Sequence, residues 1–101
     1  MSIESLAHHA VPFQVDLGQR FRATQSRTGL VFVGPSGWGE FAPFDDYDDA
    51  TAGRWLASAL EAAFGTWPAP RRTHVPVNAI IPAVSADVAS VMTQDAVTKY
   101  G

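Results

Sequence analysis

The chain has 101 residues, 47% of them hydrophobic and 17% charged, with a net charge of −3 and a mean hydropathy near zero. These values allow one small domain at most and exclude wholesale disorder, a membrane span and an electrostatic surface for nucleic acid. Cysteine is absent, which excludes disulfides, thiolate metal sites and cysteine nucleophiles and fits a cytoplasmic protein.

In chain order, "IESLAHHAV" (3–11) spreads Ile3, Leu6 and Val11 among polar neighbours and predicts a first strand. It has neither the basic start nor the long apolar stretch of a secretory signal. Residues 12–26 carry turn-formers and scattered charge without a clean period, which predicts a long loop. "RTGLVFVGPSGWGEF" then predicts a hairpin: an apolar β-prone run to Val33, a Gly-Pro-Ser-Gly turn, and a short strand from Trp38 to Phe41.

"DDYDDATAGRWLASALEAAFG" predicts a helix capped by Asp48 or Asp49, with a left-handed stop at Gly65. Trp55, Leu56, Ala59, Leu60, Ala63 and Phe64 fall on one buried face. Gly53 weakens that helix slightly. A proline-rich connector follows, then "VPVNAIIPAV" (75–84) predicts a buried strand. The chain ends in a helix after a Ser85 cap, with Val88, Val91, Met92 and Asp95 at helical spacing.

No residue pattern here supplies a self-sufficient active site. Asp45, Asp46, Asp48 and Asp49 lack the spacing of a calcium loop and fit helix capping better. His8 and His9 would point to opposite faces of a strand, and His74 is remote in sequence. Ser36 lies in a hairpin turn rather than a nucleophile elbow, and no Gly-Lys-Ser/Thr phosphate loop is present. Arg20, Arg22 and Arg27 would either attract a small carboxylate or form a solvated basic loop. Glu40, near a strand end, reads as a structural carboxylate bonded to nearby donors rather than a general base.

The segment "SGWGEFAPF", placed between the "RTGLVFV" strand and an amphipathic helix, resembles the Gly-x-Gly-Glu segment of the enolase superfamily's N-terminal domain. "WP-x-P-R" followed by "VPVNA-x-x-PAV" is similar to one branch, the o-succinylbenzoate synthases of the actinobacterial type. The resemblance covers residues 3 to about 86. It implies an α+β fold: an antiparallel β-meander followed by a helix, forming a capping domain over residues 1–70. Residues 71–101 would be a linker and the start of a truncated (β/α) barrel, its first strand and possibly a helix.

It further implies a cytoplasmic Mg²⁺-dependent lyase that dehydrates a cyclohexadiene carboxylate to o-succinylbenzoate for menaquinone synthesis, with its lysine acid and base and its three metal-binding acids on the barrel. This chain departs from that pattern. Its only lysine is Lys99, and it is far shorter than the roughly 200 residues or more of a barrel.

The chain is therefore expected to be a fragment, a frameshifted product or a truncated gene model. It would be inactive alone, without catalytic residues, metal ligands or a bound Mg²⁺ of its own. Its partner in the full-length family would be a small-molecule carboxylate, with neither nucleic acid nor membrane involved. Carried over by position, Gln19, Arg20, Arg22 and Thr24 occupy one substrate-covering loop. Ala42, Pro43 and Phe44 occupy a second, and Asn78 would face the barrel mouth. A cycloisomerase, an N-acylamino-acid racemase and a small non-enzymatic α+β binding module remain as alternatives.

Overall fold

The computed structural model describes residues 2–101. The elements run α1 (Ile3–His9), β1 (Val11–Phe21), β2 (Thr24–Gly34), β3 (Gly37–Phe41), α2 (Asp49–Phe64) and α3 (Ala86–Tyr100). The strands form one sheet in the order β1–β2–β3, so the class is α+β with an open three-stranded meander. Two compact units are distinct. One joins the residues up to Asp16 with Ser26–Ala69; the other joins Leu17–Gln25 with Pro70–Gly101.

In the first unit, the strand expected over 3–11 is instead α1. The Ser2 hydroxyl accepts the Ser5 N–H at 3.1 Å, satisfying a donor that the first helical turn leaves open. One side chain, Leu6, drops into the core, and the seven-residue helix is too short to display a full period. His9 Nδ1 lies 2.7 Å from the Ser5 carbonyl, so its ring is bound within its own helix.

The long loop expected over 12–26 is also corrected: β1 and β2 are paired strands joined by a two-residue turn. Arg22 and Ala23 take φ values of 50° and 59° there, both left-handed. A tight hairpin requires that geometry, and sequences normally supply it as Asn-Gly. Non-glycine residues bear a cost of roughly 1–2 kcal/mol each in that conformation. In β1 only Phe13, Leu17 and Phe21 are partly buried, so the apolar signal recurs every fourth residue instead of every second.

The second hairpin matches expectation, with Leu30 opposite Phe41, Phe32 opposite Gly39 and Gly34 opposite Gly37. Alternation aims Phe32 and Gly39 at α2, whereas Trp38 and Glu40 lie on the opposite side and are exposed. Glu40 is thus a surface carboxylate.

Helix α2 begins as expected. The Asp48 carboxylate accepts the Thr51 N–H at 2.8 Å. Hydrogen bonds from the Thr51 side chain and backbone hold its pKa below the usual aspartate range. Ala59 and Ala63 are buried, and Leu56, Leu60 and Phe64 flank them around Leu6 and Phe32. Trp55 is 38% exposed and sits at the edge of that face.

Small residues let α2 approach the sheet closely. A Cβ on Gly39 would collide with the Ala59 carbonyl and come within 2.7 Å of the Phe32 ring. The end of α2 differs from expectation, because Gly65 is extended (φ −75°, ψ 176°) rather than left-handed. The hairpin turn supplies the missing donors: the Ser36 N–H bonds the Ala63 carbonyl at 2.9 Å, and the Ser36 hydroxyl donates to the Gly65 carbonyl.

In the second unit, the strand expected over 75–84 is absent. These residues adopt no regular structure, and Val75, Val77 and Ile80 are exposed. Pro76 and Pro82 remove two donors, and a buried strand needs neighbours on both sides to take up its backbone groups. Among the described residues, none pairs with this segment. The final helix does form, with the Ser85 hydroxyl accepting the Val88 N–H at 3.4 Å, and none of its side chains is buried.

Candidate functional site

The residues singled out in the sequence fall in three places. Gln19 and Arg20 end β1, Arg22 occupies the left-handed turn, and Thr24 begins β2. With Phe21, Ala23, Pro82 and Ala83, the first three line a shallow cleft of the second unit, about 470 Å³ in volume. Thr24 is not part of that lining; its hydroxyl donates to the Arg22 carbonyl at 3.4 Å. Gln19, Arg20 and Arg22 therefore line one surface.

Asn78 lines a different cleft of the same unit, with Val77, Ala79, Ala96, Val97, Tyr100 and Gly101. That lining is almost wholly apolar, so Asn78 is its one side-chain amide.

Ala42, Pro43 and Phe44 belong to the first unit and follow directly from β3. Ala42 is 5% exposed, which fixes the start of the segment. Phe44 meets Tyr47 and Trp55 in a mutual edge-to-face cluster, with ring centroids 5.6–6.0 Å apart. Arg27 joins this cluster. Its guanidinium donates to the Ala42 carbonyl, and its Cζ lies 4.0 Å from the centre of the Phe44 ring.

Arg27 accordingly lies on strand β2, engaged with this segment, and not in the solvated loop that was one reading of the sequence. Tyr47 and Trp55 were not separable from ordinary helix-start and core residues by spacing alone. The hint was compositional: three rings and an arginine flank one short segment of a small domain.

No group of three or more His, Asp or Glu side chains among the described residues is arranged to hold a metal ion. The acidic run does not converge, since Asp48 is engaged as a helix cap. The described residues do not fit the Mg²⁺ site implied by the resemblance.

A three-stranded meander whose glycine-rich third strand packs on a capped amphipathic helix is consistent with the N-terminal domain of enolase-type proteins. The family model described as "Enolase N-terminal domain-like" matches residues 12–63, and the chain belongs to that family. More particularly, it is 46% identical over 78 residues to an o-succinylbenzoate synthase of Thermobifida fusca, covering 77% of this chain and 25% of the relative. The o-succinylbenzoate synthase of Mycolicibacterium smegmatis is 46% identical over 84% of this chain and 25% of its own length. That of Mycobacterium tuberculosis is 47% identical over 76% of this chain and 22% of its own length. The chain thus spans about a quarter of the length of the curated relatives it matches.

Proposed function

We propose that this chain is the substrate-covering part of an o-succinylbenzoate synthase and is catalytically insufficient alone. The observation that carries the reading is the close identity to that one named group of relatives, confined to a quarter of their length. Residues 1–70 form the cap, and 71–101 are the linker and first portion of a barrel domain. The cysteine-free composition fits a reducing compartment, and we place the protein in the cytoplasm.

In this reading the chain's own residues bind and enclose rather than react. Arg20 and Arg22, on the hairpin tip, offer positive charge to a carboxylate substrate. Gln19 adds a polar group to the same cleft and Thr24 follows the turn, while in the first unit Ala42, Pro43 and Phe44 form an apolar wall of their own. Asn78 offers an amide from the barrel side. A lysine pair and Mg²⁺ held elsewhere in such an enzyme would supply the acid–base and Lewis-acid chemistry.

A chimera tests this. The corresponding N-terminal part of the Thermobifida fusca relative is replaced by this chain through Val84, and dehydration of the cyclohexadiene carboxylate is assayed with Mg²⁺. Turnover above that of the remaining part alone is expected, with none from the 101-residue chain. A folded chimera without activity would overturn the reading.

A further inference from the structure

We infer that Arg27 is a positioning residue that sets the place of the Ala42–Phe44 wall; the inference rests on the reading of that segment as substrate-covering. The reason lies in the way the β2–β3 ladder ends. Its last pair is Leu30 with Phe41, and continuing the same register would set Arg27 opposite Phe44. The ladder cannot continue there, because Pro43 has no N–H to donate. From Ala42 onward the backbone leaves the sheet, and it must be held by something else.

Arg27 holds it at two points. Its Nη2 donates to the Ala42 carbonyl, the first acceptor past the ladder, and its planar head covers the Phe44 ring at 4.0 Å. A guanidinium can do both because its donors lie in the plane of the fork while its face is free to stack. The far side of the wall is closed by the Phe44–Tyr47–Trp55 cluster and by the Tyr47 N–H, which bonds the Phe44 carbonyl at 3.1 Å. Arg27 therefore links strand β2 to the wall, and Trp55 links the wall to the first half of α2.

The test compares the full chain with its Arg27→Met and Arg27→Lys variants by residue-resolved amide exchange and near-ultraviolet circular dichroism. Methionine keeps much of the apolar stem but loses charge and donors; lysine keeps a charge and a donor but not the fork. Arg27→Met is expected to raise exchange at Tyr47 about tenfold, the loss of a hydrogen bond to a charged group. The aromatic dichroism should weaken, and exchange at Ser36, tied to Ala63 at the other end of the helix, should stay at its original value. Arg27→Lys should fall between the two.

Unchanged Tyr47 exchange in a folded Arg27→Met chain would overturn the inference, as would an equal rise at Tyr47 and Ser36. If the methionine variant does not fold, Arg27→Lys decides by the same two amides. In an active chimera, Arg27→Met should raise KM for the carboxylate by a larger factor than it lowers kcat, and an unchanged KM would again overturn it. An inactive chimera would sink the substrate reading while leaving the exchange result intact.

Discussion

Replacing Phe32 with alanine is expected to abolish the cooperative fold of the first unit at ordinary temperatures. Phe32 is 2% exposed and is the one large side chain that is fully buried among the described residues. It stacks on Phe64 at 6.3 Å and packs with Leu6, Ala59 and Ala63. Phe41, Leu56, Leu60 and Phe64 also pack on this cluster, and a close-packed interior relaxes only in part around a void.

Phenylalanine-to-alanine changes in such positions cost about 3–5 kcal/mol. A domain of this size has only roughly 5–15 kcal/mol in all, and the lower end suits so few buried residues. Urea unfolding followed by tryptophan fluorescence would measure the loss. A midpoint close to that of the unaltered chain would show that the core is not centred where the structure puts it.

The second large effect is expected at Gly39, directly across the ladder from Phe32. An alanine Cβ there meets a helix carbonyl, that of Ala59, and a ring carbon of Phe32 at 2.7 Å. Neither obstacle is the loose end of a side chain. Relief requires α2 to lift from the sheet or Phe32 to leave its rotamer, and overpacking of this kind costs roughly 1–3 kcal/mol.

Gly53→Ala is the control. Gly53 lies in α2 with nothing within 4 Å of its added Cβ, so the same substitution should stabilise by about 1 kcal/mol through helix propensity. Thermal unfolding of the two variants should therefore move in opposite directions. A destabilised Gly53→Ala chain or a neutral Gly39→Ala chain would contradict the packing described.

Gly39 and Phe32 also show what was legible in the sequence. The hairpin was readable because an apolar run, a proline-glycine turn and a second run follow one another within a few residues. Helix α2 was readable because its apolar residues repeat at helical spacing behind a cap. The Ser85-capped helix was readable for the same local reason. Leu6, by contrast, is a single anchor, and one buried residue in α1 carries no period.

Strand β1 escaped detection because the sheet buries only every fourth of its residues, and because Arg22-Ala23 is an atypical pair for a tight turn. The segment 75–84 misled in the other direction. Its composition is that of a strand, but strand structure also requires a partner for its backbone groups, and none of the described strands pairs with it. The positions of Gln19, Arg20, Arg22, Thr24, Ala42, Pro43, Phe44 and Asn78 came from likeness to a family and not from periodicity. Arg27 was noticed for its charge, whereas its contacts depend on where Pro43 stops the ladder, a feature of pairing rather than of spacing.

The two bonds from Ser36 have a consequence for how the chain folds. They join residues 27 and 29 positions apart, Ala63 and Gly65, and so close a large loop through the turn of a local hairpin. Closing a loop of that length costs entropy that only the completed contact returns. These two cross-links are therefore expected to form after the local contacts of the hairpin and the helix, tying the β2–β3 turn to the end of α2 although each looks local in the sequence.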